Sequence, residues 1–343
     1  MRARPFTQLL LARVKEPLRE PEVVFWVFIF PVLLAVGLGI AFRNRPPEEI
    51  AVGVVSGDRS PEVIAALDSD SEIKAELIDE DEAASRIRLG HVDLLIVPGK
   101  TMTYRFDPTR PASLVARARV DDTLQRALGR LDVIEVVEEH VTEPGARYID
   151  FLIPGLIGLN LMSGGLWGVG FAVVDMRTRK LLKRLVASPM RKSEFIGAMM
   201  TSRLVFMLFE VVLLLVAGHL IFDVALRGSI LATILIGVVG ALAFGAIGIL
   251  VASRAERIET VSGLMNLVML PMFVFSGVFF SSDRFPEAIQ PFVQALPLTM
   301  LNDALRSVII EGASLGSQLS ELAGLVVWGS VSFLLAMRWF RWS

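Results

Sequence analysis

The 343-residue chain has no cysteine, which excludes disulfides, thiolate metal sites and cysteine nucleophiles. Its three histidines, His91, His140 and His219, lie far apart and form no metal-ligand spacing. The G-x-x-x-x-G-K-[ST] phosphate loop is missing, so the chain is not itself a nucleotide-driven motor. H-E-x-x-H and an intramembrane G-x-G-D arrangement are missing as well, which argues against a membrane protease. The acidic run Asp79-Glu80-Asp81-Glu82 reads as a solvated helix start rather than the metal site of a kinase or glycosyltransferase. Charge itself is scarce: 20% of residues are charged against 53% hydrophobic. That balance lies outside the soluble range and marks an integral membrane protein. The net charge of −2 says little, because the charges are segregated along the chain.

A membrane-crossing helix needs roughly 20 apolar residues. The sequence predicts six: 23–42, 149–174, 195–222, 229–252, 261–280 and 322–340. Gly39-Ile40-Ala41 loosely resembles a signal cleavage site, but the first apolar run is longer than a signal core and twenty-two polar-biased residues precede it, so an uncleaved anchor is expected. Arg2, Arg4, Arg13, Lys15 and Arg19 precede the first span, and Arg177, Arg179, Lys180, Lys183, Arg184, Arg191 and Lys192 separate the second from the third. Arg254 and Arg257 lie between the fourth and fifth, and Arg338 and Arg341 close the chain; the alternate loops are poor in basic residues. Lysine and arginine mark the cytoplasmic side. Both termini are therefore expected in the cytoplasm, including an amphipathic segment at 1–22, with residues 43–148 exported.

The exported segment reads as a small α/β fold. Ile50–Val55 is a buried-strand run, Pro61–Leu67 a helix capped by Ser60, Ala75–Ile78 and Val92–Val97 further strands, and Glu80–Leu89 a helix stopped by Gly90. Met102, Tyr104 and Phe106 alternate as in a half-exposed strand. A long helix from about Ala112 to Val141 carries Leu124, Leu128 and Leu131 on one face, and Thr142–Gly145 breaks it. Strands alternating with helices suggest a parallel or mixed sheet.

Glu210 sits near the middle of the third span, where an ionised side chain costs about 2.5–3.5 kcal/mol. It is either a substrate-path or gating residue or the partner of a neighbouring polar group such as Asn160 or Asn266. Arg203, two turns earlier on the same face, is close enough to the cytoplasmic end to snorkel. Glycines crowd the second and fourth spans, as close helix packing in lipid requires. Between 175 and 194 the chain is too charged for lipid and too leucine-rich for a plain loop: Leu181, Leu182 and Leu185 offer an apolar helical face beside Arg177, Arg179, Lys180, Lys183 and Arg184. Residues 281–312 form pieces too short to cross, with apolar spacing through Ile289, Phe292, Val293 and Leu296 and then Leu301, Leu305 and Val308. They fit re-entrant or interfacial helices.

Together these residues resemble the permease subunit of an ABC-2 type ATP-binding-cassette exporter, over nearly the whole chain and most strongly from Ile149 to Gly312. The resemblance rests on Phe275-Ser276-Gly277-Val278-Phe279-Phe280, Phe285-Pro286, Leu296-Pro297-Leu298-Thr299 and Asp303-Ala304-Leu305-Arg306. In that family this order marks the end of the fifth span, outer re-entrant helices and a proline-threonine turn before a terminal Leu-Arg, so Gly277, Pro286, Pro297, Thr299 and Arg306 become the outer motif. The basic segment corresponds to the family's coupling element, with its late Ser188-Pro189. It departs from the family in having Arg177-Thr178-Arg179 and Lys180-Leu181-Leu182-Lys183 where an acidic residue and a Gly-Thr-Leu-Glu run are frequent, and Leu296 where asparagine is usual. The inserted domain resembles the subgroup linked to multidrug or lipid-like export.

The resemblance implies a polytopic α-helical membrane protein of ABC-2 exporter fold with an inserted extracytoplasmic α/β domain. Two such subunits, identical or sister chains, would pair in the plasma or inner membrane and recruit two cytoplasmic ATPases. ATP and magnesium would sit on those partners, with no catalytic residue, cofactor or metal on this chain and no nucleic-acid partner. A hydrophobic or amphipathic cargo is expected. A secondary transporter would need matched repeats with broken helices, and no such symmetry is present. The alternative is a membrane-anchored sensor or assembly scaffold acting through the exported domain.

Overall fold

A computed structural model describes residues 5–42, 49–99, 101–131, 147–187 and 191–340. The chain forms two compact units, Asn44–Val141 and the remainder, Met1–Arg43 with Thr142–Ser343.

In the inserted unit, β1 (Ile50–Val55), α2 (Ser60–Leu67), β2 (Ile73–Ile78), α3 (Glu80–Leu89), β3 (Leu94–Val97), β4 (Thr103–Arg105) and α4 (Pro111–Ala127) follow in order. The helix α1 (Pro5–Leu18) precedes them in the chain. The sheet order is β2-β1-β3-β4, with β1 parallel to both neighbours and β4 antiparallel to β3. Val52 to Val55 are all buried because both faces of the central strand are covered. Val52 and Val54 pack with Val63, Leu67, Ala116, Val120 and Leu124, while Val55 joins Ile78, Ala83 and Leu95 on the other side.

Three details of this unit differ from the sequence reading. Ser60 is the first residue of α2 rather than its cap: its hydroxyl donates to the Val55 carbonyl at 2.7 Å. The helix expected to run from Ala112 to Val141 stops at Ala127, with Gly129 at φ +99°. Leu124 is buried, but Leu128 and Leu131 are 62% and 88% exposed, so the three do not share a buried face. The expected continuation through 132–141 and the break at 142–145 lie outside the described residues.

Among the described residues, six helices are long and apolar enough to cross a membrane: Pro21–Ala41, Tyr148–Thr178, Ser193–Phe222, Ile230–Ala252, Ile258–Phe275 and Leu315–Trp339. The second and fourth are the most enclosed, and the first, fifth and sixth present most of their surface outward. Glycine permits the central contact. Along Gly164–Phe171 the second span widens to π-helical winding. There a Cβ on Gly165 would lie 2.8 Å from the Gly245 nitrogen, and one on Gly170 2.5 Å from the Gly248 carbonyl, so the two backbones touch.

The second span continues to Thr178, four residues past the expected end, because the charge of Arg177 is taken up inside the protein. The fifth stops at Phe275 rather than Phe280. Gly277 follows at φ +69°, a left-handed conformation that ends helices and that side-chain-bearing residues disfavour. Beyond Leu181–Val186 (α5), the pieces between the fifth and sixth spans are 3-10 turns followed by α6 (Gln290–Ala295) and α7 (Pro297–Ile309). Proline at N1 starts α7, where its missing N–H costs nothing. Val293, Leu301, Leu305 and Val308 are buried on this pair of helices, whereas Phe292 is exposed.

Candidate functional site

Clusters of polar contacts join the second span to its neighbours at the end carrying the basic segment, inside the bundle and at the far end.

At the basic end, Arg177 is buried. Its Nη1 donates to the carbonyls of Ala252 at 2.8 Å and Ala255 at 2.5 Å, and its Nη2 to that of Ser253 at 3.2 Å. The Phe340 ring lies 5.3 Å from the guanidinium carbon. The last carbonyls of a helix lack intrahelical partners and form the negative end of its dipole, and this arginine supplies them for the fourth span. Its guanidinium is thus turned into the protein, away from the exposed side of the basic segment.

Lys180 takes φ +58°, a left-handed joint between the second span and α5. Leu182 is fully buried in the bundle core, so it anchors the segment and is withdrawn from the apolar face expected of Leu181, Leu182 and Leu185. Leu181 is 37% exposed, and Lys180, Lys183 and Arg184 face outward. Arg179 is exposed and bridged to Asp175 at 3.0 Å. The side chain of Leu185 and the Ser188-Pro189 turn lie outside the described residues. On the same end, α1 packs on the third span, and Arg13 reaches the Met176 sulfur. Burial holds the Arg13 guanidinium below its ordinary pKa, against the pull of Glu16 and Asp175.

Inside the bundle, Arg203 and Glu210 pair through two hydrogen bonds, Nη1 to Oε1 at 2.6 Å and Nη2 to Oε2 at 2.8 Å. Their side chains are 5% and 2% exposed. Arg203 Nη2 also donates to the backbone carbonyl of Asn160 at 3.2 Å, and its guanidinium fills the space where Gly164 lacks a side chain. This contact sits where the second span changes from α to π winding. Arg203 thus points into the protein instead of snorkelling. Asn160 contributes its carbonyl, and Asn266, on the exposed side of the fifth span, takes no part in the pair.

At the far end, α7 presents Asn302 and Arg306 one turn apart. Asn302 Nδ2 donates to the Ser276 carbonyl at 2.8 Å, and Arg306 to the Gly277 and Phe151 carbonyls, with the Phe151 ring 3.7 Å from its guanidinium carbon. Burial pushes Arg306 down to about 10, outweighing Asp303 at 3.8 Å, and pushes the Asp303 carboxyl up to about 6. The structure thus gathers Gly277 and Arg306 with the fully buried Asn302 and Thr299. Pro297 only starts the helix, and Pro286 lies on an exposed turn.

Sequence reasoning passed over Arg147, whose Nη1 and Nη2 donate to the Phe222 and Asp223 carbonyls at 2.8 and 3.1 Å and whose Nη2 bridges the buried Asp150 at 2.8 Å. The Arg-x-x-Asp spacing at a span's start was the available signal. It also passed over Asn302, which only its i, i+4 spacing from Arg306 could have indicated.

A polytopic helical bundle with a small α/β unit inserted in sequence between its first two spans is the class this fold defines. Over residues 21–338 the chain matches the model of a family described as ABC-2 family transporter protein, and it belongs to that family. It is 28% identical to ABC transporter G family member 20 of Dictyostelium discoideum over 56% of this chain and 26% of that one. It is 25% identical to nodulation protein J of Bradyrhizobium diazoefficiens over 57% of this chain and 75% of that one. The chain thus spans about a quarter of the first relative's length.

Proposed function

We propose that this chain lines the translocation path of an ATP-driven exporter of hydrophobic or amphipathic molecules, drug-like or lipid-like. Two ATP-binding-cassette ATPases would bind ATP and magnesium in the cytoplasm and act on it. The observation that carries this reading is the segment after Lys180, a short helix anchored by buried Leu182 that turns Leu181, Lys183 and Arg184 outward. A helix held by burial and exposing cations is suited to an acidic docking surface and to passing on a push. Lysine and arginine distribution favours cytoplasmic termini and an extracytoplasmic 43–148 segment in the plasma or inner membrane. The name of the Dictyostelium relative, an ABC transporter, supports the motor partnership. Asn266, polar and exposed on the fifth span, favours a second permease subunit over lipid alone at that face. The largely apolar bundle interior supports the cargo class.

The test is mild-detergent purification from the native host with mass spectrometry of co-purifying proteins. A stoichiometric phosphate-loop ATPase that is lost on Lys183→Glu with Arg184→Glu is the expected result. Its consistent absence from an intact preparation would favour the sensor or scaffold reading.

A further inference from the structure

Of the basic residues around 177–184, Arg177 alone is buried among those whose side chains are described. It sits three residues before the Lys180 joint and five before Leu182, the anchor of α5. Its fork closes on the carbonyls of Ala252, the last residue of the fourth span, Ser253, its cap, and Ala255, in the turn that follows. Arg179, two residues further, is 69% exposed and held only to Asp175 of its own helix among the contacts described.

A buried guanidinium cannot leave its acceptors without leaving a charge and several carbonyls unpaired in a dry setting. Displacement of α5 that drags the second span's end must therefore carry the fourth span's end with it. The sixth span is drawn in too, since Phe340 lies against Arg177 and Gly329 against Ala243. Ala255 precedes the fifth span by three residues, so the fork also holds the turn that leads into it.

We propose that Arg177 is a positioning residue that locks the basic end of the fourth span to the coupling segment, so that a stroke received at α5 enters the membrane through both spans. This rests on the transporter reading above and goes beyond it by assigning the route.

Because the chain has no cysteine, spin labels can be placed without background. In the purified complex with its ATPase, one label pair at Ala187→Cys, an exposed uncharged site just past α5, and Arg254→Cys spans the lock, and a second at Ala187→Cys and Asp283→Cys reports movement against the far end. Double electron–electron resonance is recorded without nucleotide and with ATP and vanadate. The expected result is a 187–254 distance that stays fixed while the 187–283 distance changes. With Arg177→Met the 187–254 distribution should broaden, and with Arg177→Lys, which keeps the charge but not the fork, it should fall between. A 187–254 distance that changes with nucleotide in the protein retaining Arg177 overturns the proposal, whether or not the variants fold. So does a 187–283 distance that never responds, or a 187–254 distribution unchanged by Arg177→Met. Failure to obtain any ATPase complex is a different outcome: it removes the transporter reading itself and the proposal with it.

Discussion

Arg203 and Glu210 stand seven residues apart on one span and meet through two parallel hydrogen bonds with both side chains sealed from solvent. Two turns of helix separate their backbones by about 10 Å, so the arginine must reach along its own helix to close the fork. It does so over Gly164 of the second span, and the pair therefore fastens two spans together.

Removing one member leaves a buried charge alone, which costs roughly 3–5 kcal/mol. Arg203→Met or Glu210→Leu alone should sharply lower the thermal unfolding temperature in detergent, and the double variant should recover most of the loss. A double variant as unstable as either single one would show that the two residues do not act as a pair.

Leu181 and Leu182 are adjacent and should behave differently. Leu182→Ala removes a fully buried side chain and should cost about 2–5 kcal/mol. Leu181→Ala, at a surface site, should stay within about 0.5 kcal/mol and weaken only ATPase retention. Thermal stability and co-purification, measured on the same two samples, separate these effects.

Gly158 faces the Asn302 side chain with no room for a methyl group. Gly158→Ala should cost about 1–3 kcal/mol, and Asn302→Ser should relieve part of it. Additive losses in the thermal midpoints of the two single variants and the double variant would show that the close approach is not the cause.

In the inserted unit, Asp70 accepts from Arg119 Nε at 2.8 Å, from the Glu72 amide at 3.1 Å and from Thr123 Oγ1 at 3.4 Å. The Arg119 hydrogen bond above all, with the Glu72 amide, holds its carboxyl below the usual range. A depressed carboxylate stabilises the fold above its ordinary pKa of about 3.9 and loses that contribution as pH falls through the lower folded value. Asp70→Asn in the full chain should lower hydrogen-exchange protection of β2 by about 1 kcal/mol at neutral pH, and the difference from the native chain should shrink toward pH 3. A gap that persists undiminished there would rule out ionisation as its source.

The apolar runs of the spans and the alternating strands of the insert were legible because burial imposes periodicity on sequence. The fates of individual arginines were not. Arg177 and Arg179 look alike in a basic cluster, yet one is buried against the fourth span and the other is exposed, because only the fold brings Ala252, Ser253 and Ala255 to the first. The same limit hid the Arg203 fork, whose cause is the missing side chain of Gly164 on another helix. The fifth span's early stop was readable only in part: Val278-Phe279-Phe280 is apolar enough to continue, and the left-handed Gly277 ends it.

Both terminal arginines of the second span find their carbonyls 75 residues downstream, Arg147 at Phe222 and Arg177 at Ala252. In a chain made from its N-terminus, the second span reaches the membrane before either set of carbonyls exists, with Arg147 bridged only to its own Asp150 and Arg177 still to meet the fourth span. The third span then closes one end, and the fourth, about thirty residues later by its 1.5 Å-per-residue length across the bilayer, closes the other. The order of synthesis thus sets an order of fastening: a chain halted between the third and fourth spans would already offer Arg147 the carbonyl of Phe222, while the helix end that receives Arg177 had yet to be made.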